Sequence, residues 1–126
     1  MLGDSGLVAF LATTDAARAR ASYEGVLGLR FVSDDPFAVV YSVQGVELRL
    51  QKVPQLSPQP HTALGWSVAG IGKVVGDIAA RGGKFERFPP MEQDAAGIWN
   101  SPSGARIAWL KDPDGNLLSL TEAAAR

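Results

Sequence analysis

A chain of 126 residues, 46% hydrophobic and 20% charged, suffices for one domain or two tightly packed half-domains. Its formal net charge of −1 gives no basic footprint, which disfavours nucleic acid as a partner, and no apolar run approaches the ~20 residues of a membrane span. There is no cysteine, which excludes disulfides, thiolate metal sites and cysteine nucleophiles.

The opening MLGDSGLVAFLATTD lacks a basic n-region, so its apolar part reads as a strand, Leu7–Ala12, rather than a signal peptide, and a cytoplasmic location is expected. Thr13, Thr14 and Asp15 offer side-chain oxygens to cap a helix over Ala16–Leu27. Tyr23, Val26 and Leu27 share one face of that helix, and Gly28 suits its end. A strand at Leu29–Val32 is followed by a turn at Ser33–Pro36 and a hairpin, Phe37–Ser42 with Val46–Val53, about Gln44-Gly45. Pro54, Pro58 and Pro60 mark a connector.

The second half starts with a strand at Thr62–Val68. Ile71, Val74, Val75 and Ile78 follow helical spacing up to Gly82-Gly83. Lys84–Phe88 predicts a short strand stopped by Pro89-Pro90. Gly97–Asn100 and Ala105–Lys111 predict a hairpin, and Asp112–Asn116 a tight turn before a last strand, Leu117–Thr121. The tail, Glu122–Arg126, is expected to fray.

Two copies of one βαβββ pattern, about 7–54 and 62–122, emerge from this pass. Asp15 to Gly28 and Gly70 to Gly83 both span 13 residues, an offset of 55, whereas Gly45 and Gly115 stand 70 apart; the difference is a 15-residue insertion in the second copy. One copy would bury one face of its sheet, so both are needed for a stable core within a single domain, 1–126.

The segments SYEGVLGLRFV (Ser22–Val32) and WLKDPDGNLLSLTE (Trp109–Glu122) resemble the vicinal oxygen chelate superfamily of glyoxalases, bleomycin resistance proteins and extradiol dioxygenases. The resemblance spans nearly the whole chain. It implies an α+β fold in which two βαβββ modules form a curled mixed sheet around a ligand cleft, and a homodimer. In the family's metal enzymes four strand residues, usually His or Glu, hold a divalent ion. By motif those positions are Val8, Arg49, Ala63 and Ser119 here. Valine and alanine have no donor atom, arginine repels a cation, and one serine hydroxyl is a weak ligand. No metal or other cofactor is therefore expected.

Residues two apart in a strand share a face. The cleft face would then carry Val8, Phe10 and Ala12; Glu47, Arg49 and Gln51; His61, Ala63, Gly65 and Ser67; and Leu117, Ser119 and Thr121. Leu64, Trp66 and Val68 would pack on the helices. Apolar walls with a few polar anchors suit a small organic ligand. Arg49 either clamps a ligand carboxylate or pairs with Glu47. His61, the single histidine, is either a base or an exposed connector residue. Trp66 and Trp109 are read as core, whereas Trp99, in the insertion, could stack on a ligand. Glu92 and Asp94 either bring charge to the cleft mouth or lie on a solvated loop. Asp112, Asp114 and Asn116 look like a calcium-loop fragment, but a turn cap explains them better.

The expected ligand-binding residues are Phe10, Glu47, Arg49, His61, Trp99 and Ser119, in a metal-independent binder of a drug or metabolite. The alternative is a lyase, isomerase or dioxygenase that recruits a divalent metal through His61, Glu47, Glu92 or Asp94, or uses Arg49 as electrophile. A third reading is an inactive relative that serves in protein association.

Overall fold

The computed structural model describes residues 1–125 and divides into two compact units, one ending at Ser57 and the next beginning at Pro58. In the first unit, β1 (Val8–Thr13) leads into α1 (Ala16–Arg20), whose free N-terminus is capped by Asp15 through Arg18 N. The predicted α-helix to Leu27 is instead cut short. From Ala21 to Val26 it widens into a π-helical turn, with Leu27 N bonded to Ser22 O at 2.9 Å. Gly28, at φ 72°, reverses the chain into β2 (Arg30–Asp34). Ser33 and Asp34, expected in a turn, belong to this strand. The turn is made by Asp35, whose carboxylate accepts from Phe37 N and Ala38 N at 2.7 and 2.9 Å.

β3 (Ala38–Val43) and β4 (Val46–Lys52) form the expected hairpin, with positive φ at Gln44 and Gly45. The sheet order is β1-β4-β3-β2, with β1 and β4 parallel and the other pairs antiparallel. Leu11, Val39, Tyr41, Leu48 and Leu50 fill the helix side, where Tyr23 stacks on Tyr41 at 5.9 Å between ring centroids. A polar ladder ties the helix to this sheet. Arg20 Nε donates to Glu24 at 2.8 Å, the Tyr41 hydroxyl donates to Glu24 at 2.9 Å, and Lys52 Nζ reaches Asp34 at 2.6 Å. The hydrogen bond from Arg20 holds Glu24 below the usual carboxylate range, and that from Lys52 does the same for Asp34.

The second unit repeats the plan: β5 (Thr62–Ser67), α2 (Ile71–Ala80), β6 (Trp99–Asn100), β7 (Arg106–Lys111) and β8 (Leu117–Glu122), in the order β5-β8-β7-β6. Ile71, Val75 and Ile78 of α2 are buried, as are Ala108, Leu110, Leu118 and Leu120 of the sheet. Arg106 to Glu122 of β7 and β8 pair as a hairpin closed by Gly115 at φ 90°. α2 gives way to Gly82-Gly83 as expected, with the left-handed φ of 98° at Gly82. Two expectations need correction. Lys84–Phe88 does not form a strand of its own, because only Phe85 bridges to Leu110. Glu122 is not frayed: its carboxylate accepts from Gly70 N at 2.6 Å and Ile71 N at 3.2 Å, capping an α2 whose own N-cap residue has no side chain. The rest of that tail is exposed through Ala125, and Arg126 lies outside the described residues. Among the described residues, no helix is long and apolar enough to cross a membrane.

Candidate functional site

Each sheet has a helix side and an open side, and the strand registers say which residues share the open side. In the first unit Phe10 lies across from Arg49 on β1 and β4, and Arg49 across from Val40 on β3. Val8, Glu47 and Ser42 form the row on one side of these, and Ala12, Gln51 and Ala38 the row on the other. Phe10 and Val8 are about half exposed, at 54% and 45%. Arg49 donates from Nη1 to Glu47 at 3.3 Å, so the ion-pair reading of Arg49 describes its present partner. Both side chains remain partly exposed, so the pair is weak and can yield to a ligand carboxylate.

In the second unit Ser119 lies between Gly65 on β5 and Trp109 on β7. The next row holds Ser67, Thr121, Ile107 and Trp99. A bulge at Ala63 breaks the β5 register and sets Thr62 opposite Leu117. Thr62 thereby stands beside Gly65, its Cγ2 4.0 Å from where a Gly65 Cβ would lie. The Ser119 hydroxyl is only 3.0 Å from that same point. Ser119 is 8% exposed, and the missing side chain at Gly65 leaves a notch directly over its Oγ.

Trp109 is not the core residue the sequence suggested. It shares the Ser119 side of the sheet, with its ring centroid 6.1 Å from Trp99 and 5.5 Å from Phe88, the latter edge-on. Three aromatic rings thus line one open face. The alternation Ile107, Trp109, Lys111 against the buried Ala108 and Leu110 is the signal that would have found Trp109. Phe88 could not be placed that way, because its segment runs alongside β7 without a ladder.

The insertion that carries Phe88 is braced from within. Gln93 donates to Glu86 O and Gly97 O at 2.9 and 2.8 Å and accepts from Phe88 N at 2.8 Å. Asp94 accepts from Ala96 N and Ile98 N, so its carboxylate closes a turn, and Glu92 is exposed on the loop. Asp112 accepts from Asp114 N, Asn116 N and Asn116 Nδ2 at 2.8–3.0 Å, the geometry of a turn cap. His61 is exposed, immediately before β5.

The residues at the four family metal positions do not fit a divalent ion. In the first unit Val8 offers no donor and Arg49 a cation already facing Glu47. In the second, Ala63 sits in a bulge and Ser119 presents a single hydroxyl. Among the described residues no group of three or more His, Asp or Glu is placed to hold a metal ion.

No family model and no curated protein matches this sequence. Solved structures do match in shape. A glyoxalase/bleomycin resistance protein/dioxygenase from Alicyclobacillus acidocaldarius is similar at 16% identity and TM-score 0.71, covering 95% of this chain and 92% of that one. A lactoylglutathione lyase from Agrobacterium tumefaciens is similar at 18% identity and TM-score 0.72, covering 94% and 93%. A fosfomycin resistance protein from Listeria monocytogenes is similar at 14% identity and TM-score 0.68, covering 97% and 94%. With two βαβββ modules of the same internal strand order, the chain has the fold of these glyoxalase/bleomycin resistance/dioxygenase structures.

Proposed function

We propose that the protein binds a small organic molecule, a drug or a metabolite, without a metal. The observation that carries this reading is the open face of the second sheet: Phe88 and Trp99 each against Trp109, beside a serine hydroxyl under a glycine notch. Partly exposed aromatic rings beside one polar anchor suit stacking on a flat apolar ligand. On the first sheet Phe10, Glu47 and Arg49 supply a second face of the same mixed character, and His61 stands exposed ahead of β5. A homodimer is part of this reading; the exposed Leu7, Val32 and Phe37 support it, and sedentation of the free protein as a monomer at micromolar concentration would remove it.

The enzyme alternative has less to draw on, since Glu47 is paired, Asp94 closes a turn, and Glu92 lies exposed on its loop. The test is a thermal-shift screen of protein kept in chelator, against organic acids, antibiotics and aromatic metabolites. A stabilising compound whose effect is lost in Trp99→Ala and Trp109→Ala supports the binder. A shift that appears only after a divalent metal is added would transfer the reading to the enzyme.

A further inference from the structure

The aromatic face does not end at Trp109. One row further along β7 and β8, Lys111 lies opposite Leu117, on the same side as Trp109 and Ser119. There a pocket of about 290 Å³ opens, lined by Pro58, Pro60, Phe88, Lys111, Gly115 and Leu117. Phe88 belongs to both places, since the ring that walls this pocket also meets Trp109 edge-on. Pro58 closes the far side, its Cγ 3.2 Å from where a Gly115 Cβ would stand, so the pocket depends on that glycine. The lining is apolar except for Gln59 and one cation. The Lys111 ammonium stands 3.7 Å from the Glu86 carboxylate, beyond a good hydrogen bond, and its side chain is 53% exposed.

We infer that this pocket receives an acidic group, and that the ligands of the aromatic face are therefore small organic anions: a flat apolar body over Phe88, Trp109 and Trp99, with a carboxylate or similar compact anion at Lys111. The inference rests on the binding reading above and narrows it. An ammonium at the end of an apolar slot favours an anion over the isosteric neutral group, because Glu86, at 3.7 Å, meets its charge only in part and a neutral ligand adds nothing to it. Glu86 opposes the incoming anion, so its removal should strengthen binding.

Naphthalene-2-acetate and its neutral primary amide form the test pair, titrated by isothermal calorimetry in chelator against wild type, Lys111→Met, Glu86→Gln and Lys73→Met. The acetate should bind about tenfold more tightly than the amide to wild type. Lys111→Met should erase that preference and leave the amide unchanged, whereas Glu86→Gln should tighten the acetate by about threefold and Lys73→Met, which removes an exposed cation paired with Asp77 on α2, should leave the preference intact. Equal binding of acid and amide, with Trp109→Ala weakening both, would overturn the anion pocket while the aromatic face stands. A preference that survives Lys111→Met, or vanishes with Lys73→Met, also overturns it. If neither compound binds, both the pocket assignment and the aromatic-face reading fall.

Discussion

Gly65→Ala tests whether the hydroxyl under the notch takes part in binding. The added methyl would lie 3.0 Å from Ser119 Oγ, 3.5 Å from Ser119 O and 4.0 Å from Thr62 Cγ2. Only the first contact is too tight, and a serine hydroxyl can swing aside. Turning it off its preferred rotamer costs about 0.5–1.5 kcal/mol. Replacing glycine in a strand returns about 0.5–1 kcal/mol, chiefly by restricting the unfolded chain. Stability should therefore change by less than ~1 kcal/mol, read as an almost unmoved urea midpoint. Binding should change more. A ligand hydrogen bond to Ser119 is worth about 0.5–1.5 kcal/mol, or about 2- to 12-fold in affinity. Gly65→Ala should lose that factor by covering Oγ, and Ser119→Ala should lose it by deleting Oγ. The double variant should be no worse than either, because both changes remove one interaction. Calorimetry with the most stabilising compound from the screen gives the four affinities. Losses that add, or a Gly65→Ala protein that binds like wild type, would refute the assignment of Ser119 as an anchor.

Glu122→Ala should destabilise by about 1–2 kcal/mol in urea melts, since it strips the two bonds that cap α2, and Glu122→Gln should lose less because it keeps an acceptor. Asp112→Ala should cost about 2–3 kcal/mol through the three hydrogen bonds of a buried turn cap, and millimolar calcium should leave the wild-type melting temperature unmoved; a calcium-dependent rise would restore the metal-loop reading. Glu24, Asp34 and Asp35 are all held below the usual carboxylate range, Glu24 first by the Arg20 hydrogen bond, Asp34 by Lys52 and Asp35 by Phe37 N. Folded pKa values below the unfolded ones mean stability that is present above about pH 4–5 and lost as the pH falls further. Melting temperature should drop over that acid range, and Asp34→Asn should flatten the drop; an equal drop in the variant would show that the Lys52 pair does not carry it.

The two-module plan was legible because its signals are local. Alternation placed Glu47, Arg49 and Gln51 opposite Leu48 and Leu50, and positive-φ glycines at Gly28, Gly45 and Gly115 marked the turns. What stayed hidden depends on residues far apart or on irregular backbone. Glu122 caps a helix that begins 51 residues earlier, and no spacing rule connects the two. The bulge at Ala63 shifts a register that strict alternation assumes. Phe88 reaches Trp109 because Gln93 and a single bridge hold its segment along β7, neither of which has a sequence signature. The π-helical turn that presents Tyr23 to Tyr41 is likewise invisible to a 3.6-residue period.

The distribution of burial separates what folds this chain from what remains for a ligand. The largest fully buried side chains are Tyr23, Tyr41, Leu48, Leu50, Ile71, Leu118, Val39, Val75 and Thr13. Every one of them belongs to a helix or to the helix side of its own sheet. Trp99, Trp109 and Phe88 belong to neither group, and they keep part of their surface in water at a hydrophobic cost of about 25 cal/mol for each Å² exposed. Selection for folding alone would be served as well by smaller or polar residues at those positions. The same holds for Gly65, where a β-branched residue would strengthen an edge strand but close the notch over Ser119. Aromatic rings left partly exposed, a weak strand residue beside them and a lysine at the end of an apolar slot run against stability in the same place, which is where a binding site departs from the rules that build a core.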